Sequence, residues 1–244
     1  MQATSGTSAS NAADTHDRLF MTLAEELKSP LMRIARQSEL LALGNECAAD
    51  LRSVRMNADM TLRLLDSYLL SLRLAREPDT LFAVQPVSVG AVLHEAQGRL
   101  TDVAREYDVE LGLDIGGRYE PVMANDQALT TALVTLGYSL IEALPAMGTQ
   151  QLRLQLAAHR TKYGIVAGMY CDADMLTPAT LRRAHNLRGH ARQPFVDVLP
   201  GSGAGVFVAD AILKAMSSRL RVGRYQRLPG FAVTLSPSQQ LQLV

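Results

Sequence analysis

Apolar residues between positions 14 and 76 recur at helical spacing. In the first half Phe20, Leu23, Leu27, Ile34 and Leu41 fall at alternating three- and four-type spacings, with Leu31 flanking. In the second half Leu51, Ala58, Leu65 and Leu72 repeat every seven residues, and Val54, Leu62, Tyr68 and Leu69 widen the stripe. Such spacing gives each helix an apolar seam to bury against another helix. The span holds one proline, Pro30, and one glycine, Gly44, which with Asn45 suits a helix end and a tight turn. The pattern predicts an antiparallel helical hairpin over residues 15–77. Its stripes are wider than one hairpin can cover, so two copies are expected to pair into a four-helix bundle.

After Pro78 the rhythm changes. A short strand, a helix near Val87 to Tyr107 and a strand at Val109 to Ile115 come first. "NDQALTTALVTLGYSLIEAL" reads as a helix, and "QLRLQLAAHR" and "YGIVAGMYCD" as neighbouring strands. "GAGVFVADAILKAM" is a helix opening on glycines, and "RLRVGRY" with "GFAVTLS" is a closing hairpin. Strands interleaved with helices that can cover one face predict an α+β sandwich over residues 78–244. Residues 1–14, small and polar, read as a disordered tail.

Composition narrows the classes. The 244 residues are 48% apolar and 20% charged, with zero formal net charge. That balance is ordinary for a globular protein and argues against a nucleic-acid binder relying on a broad basic field. Two cysteines and five scattered histidines give neither a disulfide framework nor a metal-ligand spacing. No apolar run approaches a membrane span. The expectation is a cytoplasmic protein with no metal, membrane or nucleic-acid partner.

Pro30 needs a reason, because a proline inside a helix removes a backbone hydrogen bond and bends the axis, at a cost of about 3 kcal/mol. It stands in "EELKSPL", residues 25–31. This segment resembles the phosphoacceptor box of sensor histidine kinases, S-H-E-L-[KR]-[ST]-P-L. Glu26, Leu27, Lys28, Ser29, Pro30 and Leu31 match, Ala24 replaces the serine, and Glu25 replaces the histidine. Glu25 brings a negative charge smaller than that of phosphohistidine and differently shaped. Glutamate is also an ordinary exposed helix residue. "LLDSYLLSLRLA" resembles the end of the second dimerisation helix of the same family. The order of elements after Pro78 resembles its ATP-binding domain, the Bergerat-type fold shared with gyrase and Hsp90 chaperones.

The resemblance implies an ATP site whose parts have eroded. Thr135 and Ser139 stand at the two positions of the family's magnesium-holding asparagines, and a hydroxyl is a shorter, weaker ligand. Asp172 keeps the adenine-binding aspartate, but Asp174 and Leu176 replace the glycines beyond it. Gly201, Gly203 and Gly205 preserve a glycine-rich turn into a helix, a geometry that either cradles phosphate or serves structure alone. Phe195 matches the family's lid phenylalanine, and only Val196 to Pro200 separate it from the glycines, which implies a trimmed lid.

These losses fall on separate parts of one reaction. They imply a pseudo-histidine-kinase with weak or absent ATP and magnesium binding and no phosphoryl transfer. The implied role is docking, as a homodimer, of a response-regulator receiver domain or a partner histidine kinase. Candidate docking residues are Lys28, Ser29, Arg33 and Arg36 on the first helix and Leu65, Leu69 and Leu72 on the second. An alternative is a phosphatase of a phosphorylated response regulator, in which Glu26 and Ser29 position water. A weak ATP-dependent kinase using another acceptor ranks last.

Overall fold

A computed structural model of the chain describes residues 27, 31–34, 36–38, 51, 54, 58, 61, 62, 65, 69, 83–147, 152–172 and 203–238. The predicted tail, 1–14, lies outside them. Every described residue between 27 and 69 is helical. Among these, Leu31, Met32, Leu51, Leu62 and Leu69 are exposed, whereas Leu27 and Leu65 pack against the core of the following domain.

That domain begins with β1 (Gln85–Val87) and α1 (Val89–Glu106). Ser88 caps α1 by accepting from the Ala91 N–H at 3.4 Å. Val89, Val92, Leu93, Ala96, Leu100 and Val103 bury one face of it. Next come β2 (Glu110–Ile115), β3 (Val122–Ala124) and α2 (Asp126–Ala143), which Asn125 caps through the Ala128 N–H at 3.0 Å. A 3₁₀ turn (Leu144–Met147), β4 (Arg153–Thr161) and β5 (Gly164–Cys171) follow. The last elements are α3 (Gly203–Ala215), β6 (Leu220–Tyr225) and β7 (Leu228–Leu235). The helices and the paired strands predicted from the pattern are present. β3 was not predicted; at three residues it is too short for alternation to register, and it pairs antiparallel with β1.

The main sheet has the order β2-β4-β5-β7-β6. β2 runs parallel to β4, and the other neighbours are antiparallel. One face carries Leu156, Met169, Phe231, Ala167 and Val233 into a core with the three helices. The opposite face carries a small separate cluster of Ala157, Tyr170 and Ala232, with Val166, Tyr225 and Leu228 against it. Glycines line this outer face: in one row across the sheet Gly112, Gln155, Tyr170, Gly230 and Gly223 are register partners. A Cβ on Gly230 would overlap Tyr170 and the Met169 carbonyl, so the tyrosine lies flat where a side chain would stand. The β6–β7 hairpin, turned by Gln226 and Arg227 at positive φ, curls over that row. Tyr225 stacks on His159 at 5.4 Å and sits 5.5 Å from Tyr170.

Candidate functional site

The positions that resemble an ATP site converge on α2, the end of β5 and the start of α3. Thr135 and Ser139 lie one helical turn apart on α2, and both are buried, at 4% and 2% exposed. The Ser139 hydroxyl donates to the Thr135 carbonyl at 3.3 Å. α3 starts at Gly203 and crosses α2 at Gly205, so closely that a Cβ there would overlap the Ser139 Oγ and stand 3.0 Å from the Thr135 carbonyl. Gly205 therefore has a packing reason to be glycine: only hydrogen fits between the helices. Earlier on α2, the Thr130 hydroxyl is buried with no hydrogen-bond partner among the described residues.

Asp172 is exposed at the end of β5. Its neighbour Cys171 is fully buried, and burial, reinforced by the Asp172 charge, pushes the thiol up to about 12, which leaves it unreactive. Asp174, Leu176, Phe195, the Val196–Pro200 lid and Gly201 lie outside the described residues. Among the described residues no three His, Cys, Asp or Glu side chains converge as a metal site.

Of the positions predicted around the phosphoacceptor box, Glu25, Glu26, Lys28, Ser29 and Leu72 lie outside the described residues. Arg36 and Leu69 are exposed. Arg33 is engaged within the chain: its Nη2 lies 3.5 Å from Glu142 Oε1 on α2. Glu142 is 13% exposed, and burial holds its carboxyl above the usual range, an effect that Arg33 and the Tyr107 hydroxyl partly offset. Tyr107, at the end of α1, is itself raised by burial and by the Glu142 charge. Leu65, predicted as a docking residue, is instead half-buried and packs, like Leu27, against the core of the α+β domain. The Arg33–Glu142 link was not legible in the sequence, because neither Glu142 nor Tyr107 stands at a motif position.

Among the described residues, helical positions between 27 and 69 are followed by a sheet with three helices on one face, the third opening on glycine, and this is the fold of histidine-kinase catalytic cores. The chain is similar over 87% of its length, and 98% of the other chain, to the Acinetobacter baumannii histidine kinase AdeS, with 13% identity and a TM-score of 0.58. It is also similar to full-length ShkA in complex with AMPPNP: 15% identity, TM-score 0.53, 97% of this chain and 47% of that one. The catalytic domain of histidine kinase ThkA covers 64% of this chain and 97% of its own length, at 9% identity and a TM-score of 0.50. No family model matches the sequence, and no curated protein is similar to it at the level of sequence. Among the described residues no helix is long and apolar enough to cross a membrane.

Proposed function

We propose that the protein is a pseudo-histidine-kinase that works in two-component signalling by docking a response-regulator receiver domain or a partner kinase, without phosphoryl transfer. The observation that carries this reading is the α2–α3 contact. AMPPNP-bound ShkA shares the fold. In this chain Ser139, at a magnesium-ligand position, is turned onto its own helix and pressed against Gly205. A hydroxyl held so has neither the reach nor the freedom to complete an octahedral magnesium shell. With Glu25 in place of the phosphoacceptor, donor and acceptor ends of the reaction are both lost. The predicted hairpin keeps Lys28, Ser29, Arg36, Leu69 and Leu72 in sequence for a partner, and the exposed Leu31, Leu51 and Leu62 supply apolar area for a homodimer.

The test uses a receiver protein phosphorylated with acetyl phosphate. Docking without chemistry leaves its phosphate lifetime unchanged or longer while a complex forms on a sizing column. If Glu26 and Ser29 instead position water, the phosphate is lost at least about 100-fold faster, and Ser29→Ala abolishes the acceleration while leaving binding intact. Transfer of label from ATP to any residue of the chain would overturn both readings.

A further inference from the structure

Strand β6 closes one end of the sheet, and no described strand pairs with its outer side. Its two-residue turn to β7 sets the ladder. Tyr225↔Leu228, Gly223↔Gly230 and Arg221↔Ala232 are the pairs that exchange hydrogen bonds, and the residues between them face outward. The backbone N–H and C=O of Leu220, Val222 and Arg224 therefore point to the free side. The fold shows what suits that side: the Leu220 N–H is already taken by a carboxylate, Oδ1 of buried Asp210, at 3.2 Å. Among the described residues Val222 and Arg224 have no such cap.

The same edge is basic. From residue 211 to 244 there is no Asp or Glu, and the basic residues are Lys214, Arg219, Arg221, Arg224 and Arg227. Lys214 is paired with Asp210. The four arginines are exposed, and none forms an ion pair among the described residues. Side chains alternate along a strand, so Arg221 and Arg224 flank the open edge from opposite faces. Such an edge repels a second copy of itself, the usual service of charged edge residues. It also offers an extended acidic segment two unused backbone pairs and an arginine on either side.

We propose that β6 is a docking edge for an extended acidic segment of a partner protein, which adds as a short sixth strand. The proposal does not depend on what the residues before Pro78 bind. The experiment uses the whole chain and a short fluorescein-labelled peptide of glutamate and valine, read by anisotropy. Saturable, salt-sensitive binding is expected, weakened about tenfold or more by Arg221→Glu with Arg224→Glu. The same peptide N-methylated at alternate residues keeps its charge but loses the strand's hydrogen bonds, and its binding is expected to fall by a similar factor. Arg221→Gln with Arg224→Gln, with an unchanged melting temperature, separates lost contacts from lost fold. Equal binding of the methylated peptide, indifference to both arginine pairs, or capture of phosphatidylserine vesicles without capture of the peptide would each overturn the proposal.

Discussion

Tyr225 donates a hydrogen bond to Asp114 at 2.8 Å, across 111 residues of sequence and from one edge strand of the sheet to the other. Gln226 Nε2 donates to the same Asp114 oxygen at 3.0 Å. The outer face, which no described helix covers, is thus partly closed by the β6–β7 hairpin, and fully buried Tyr170 lies beneath the ring. Replacing Tyr225 by Phe keeps the stack and removes the hydroxyl. A loss of about 1–2 kcal/mol is expected, as for a hydrogen bond to a carboxylate. Tyr225→Ala, which also uncovers Tyr170, is expected to cost more, and urea midpoints of the two variants check the order. Midpoints in both variants equal to that of the unaltered protein would mean that the hairpin tip contributes nothing.

Arg33 is expected to matter to stability as much as to any partner. Glu142 is mostly buried, and removing one member of such a pair leaves an uncompensated charge. Because Arg33 is 42% exposed, the cost of Arg33→Ala is expected at about 1–2 kcal/mol rather than the full buried-pair value. The effect depends on pH. Folded Glu142 titrates above its unfolded value, so between the two the folded state holds more protons and stability falls as pH rises. Without Arg33 the folded value moves higher still, and the deficit grows from acid towards neutral pH. Arg33→Ala combined with Glu142→Gln should remove most of that growth, and melts across this range check it.

Two glycines in helices should behave oppositely. Gly205→Ala forces α3 away from Ser139 and the Thr135 carbonyl, with an expected cost of about 1–3 kcal/mol. Gly98→Ala, in α1 with nothing within 4 Å of the new methyl, should stabilise by about 0.5–1 kcal/mol. Thermal denaturation of both variants decides. A tolerated Gly205→Ala would show that the helices can separate and would reopen the question of space for a nucleotide.

Calorimetric titration with ATP is expected to show weak binding or none, with little response to magnesium. Asp172 can offer an adenine about 1.5–3 kcal/mol through one charge-assisted hydrogen bond, against roughly 8 kcal/mol for micromolar affinity. A low-micromolar, magnesium-dependent dissociation constant would contradict the reading of Thr135 and Ser139 given above.

Periodicity made the domain's main elements legible. α2 was visible as twenty helix-compatible residues, and β4 and β5 as apolar runs with a tight connection. The motif positions were legible as spacing, but spacing carried no information about where the side chains turn. Ser139 was read as a weak ligand, whereas its contact with Gly205 depends on a helix crossing between residues far apart in the chain. Arg33 with Glu142 and Tyr225 with Asp114 were invisible for the same reason: each joins residues on different elements, and neither member has a repeating neighbour. β3 fell below the length at which a period can be counted.

The placement of β7 has a consequence for how the chain comes to be folded. The last described strand does not finish the sheet at its rim; it lies between β5 and β6. Phe231 and Val233, both buried, reach the core from it. As the chain leaves the ribosome, β2, β4 and β5 emerge with one face only partly covered and β5 open along its side. Assembly of the domain is therefore withheld until synthesis has passed Leu235. A ribosome stalled before Phe231 would display an open, apolar β5 edge, a natural target for a chaperone.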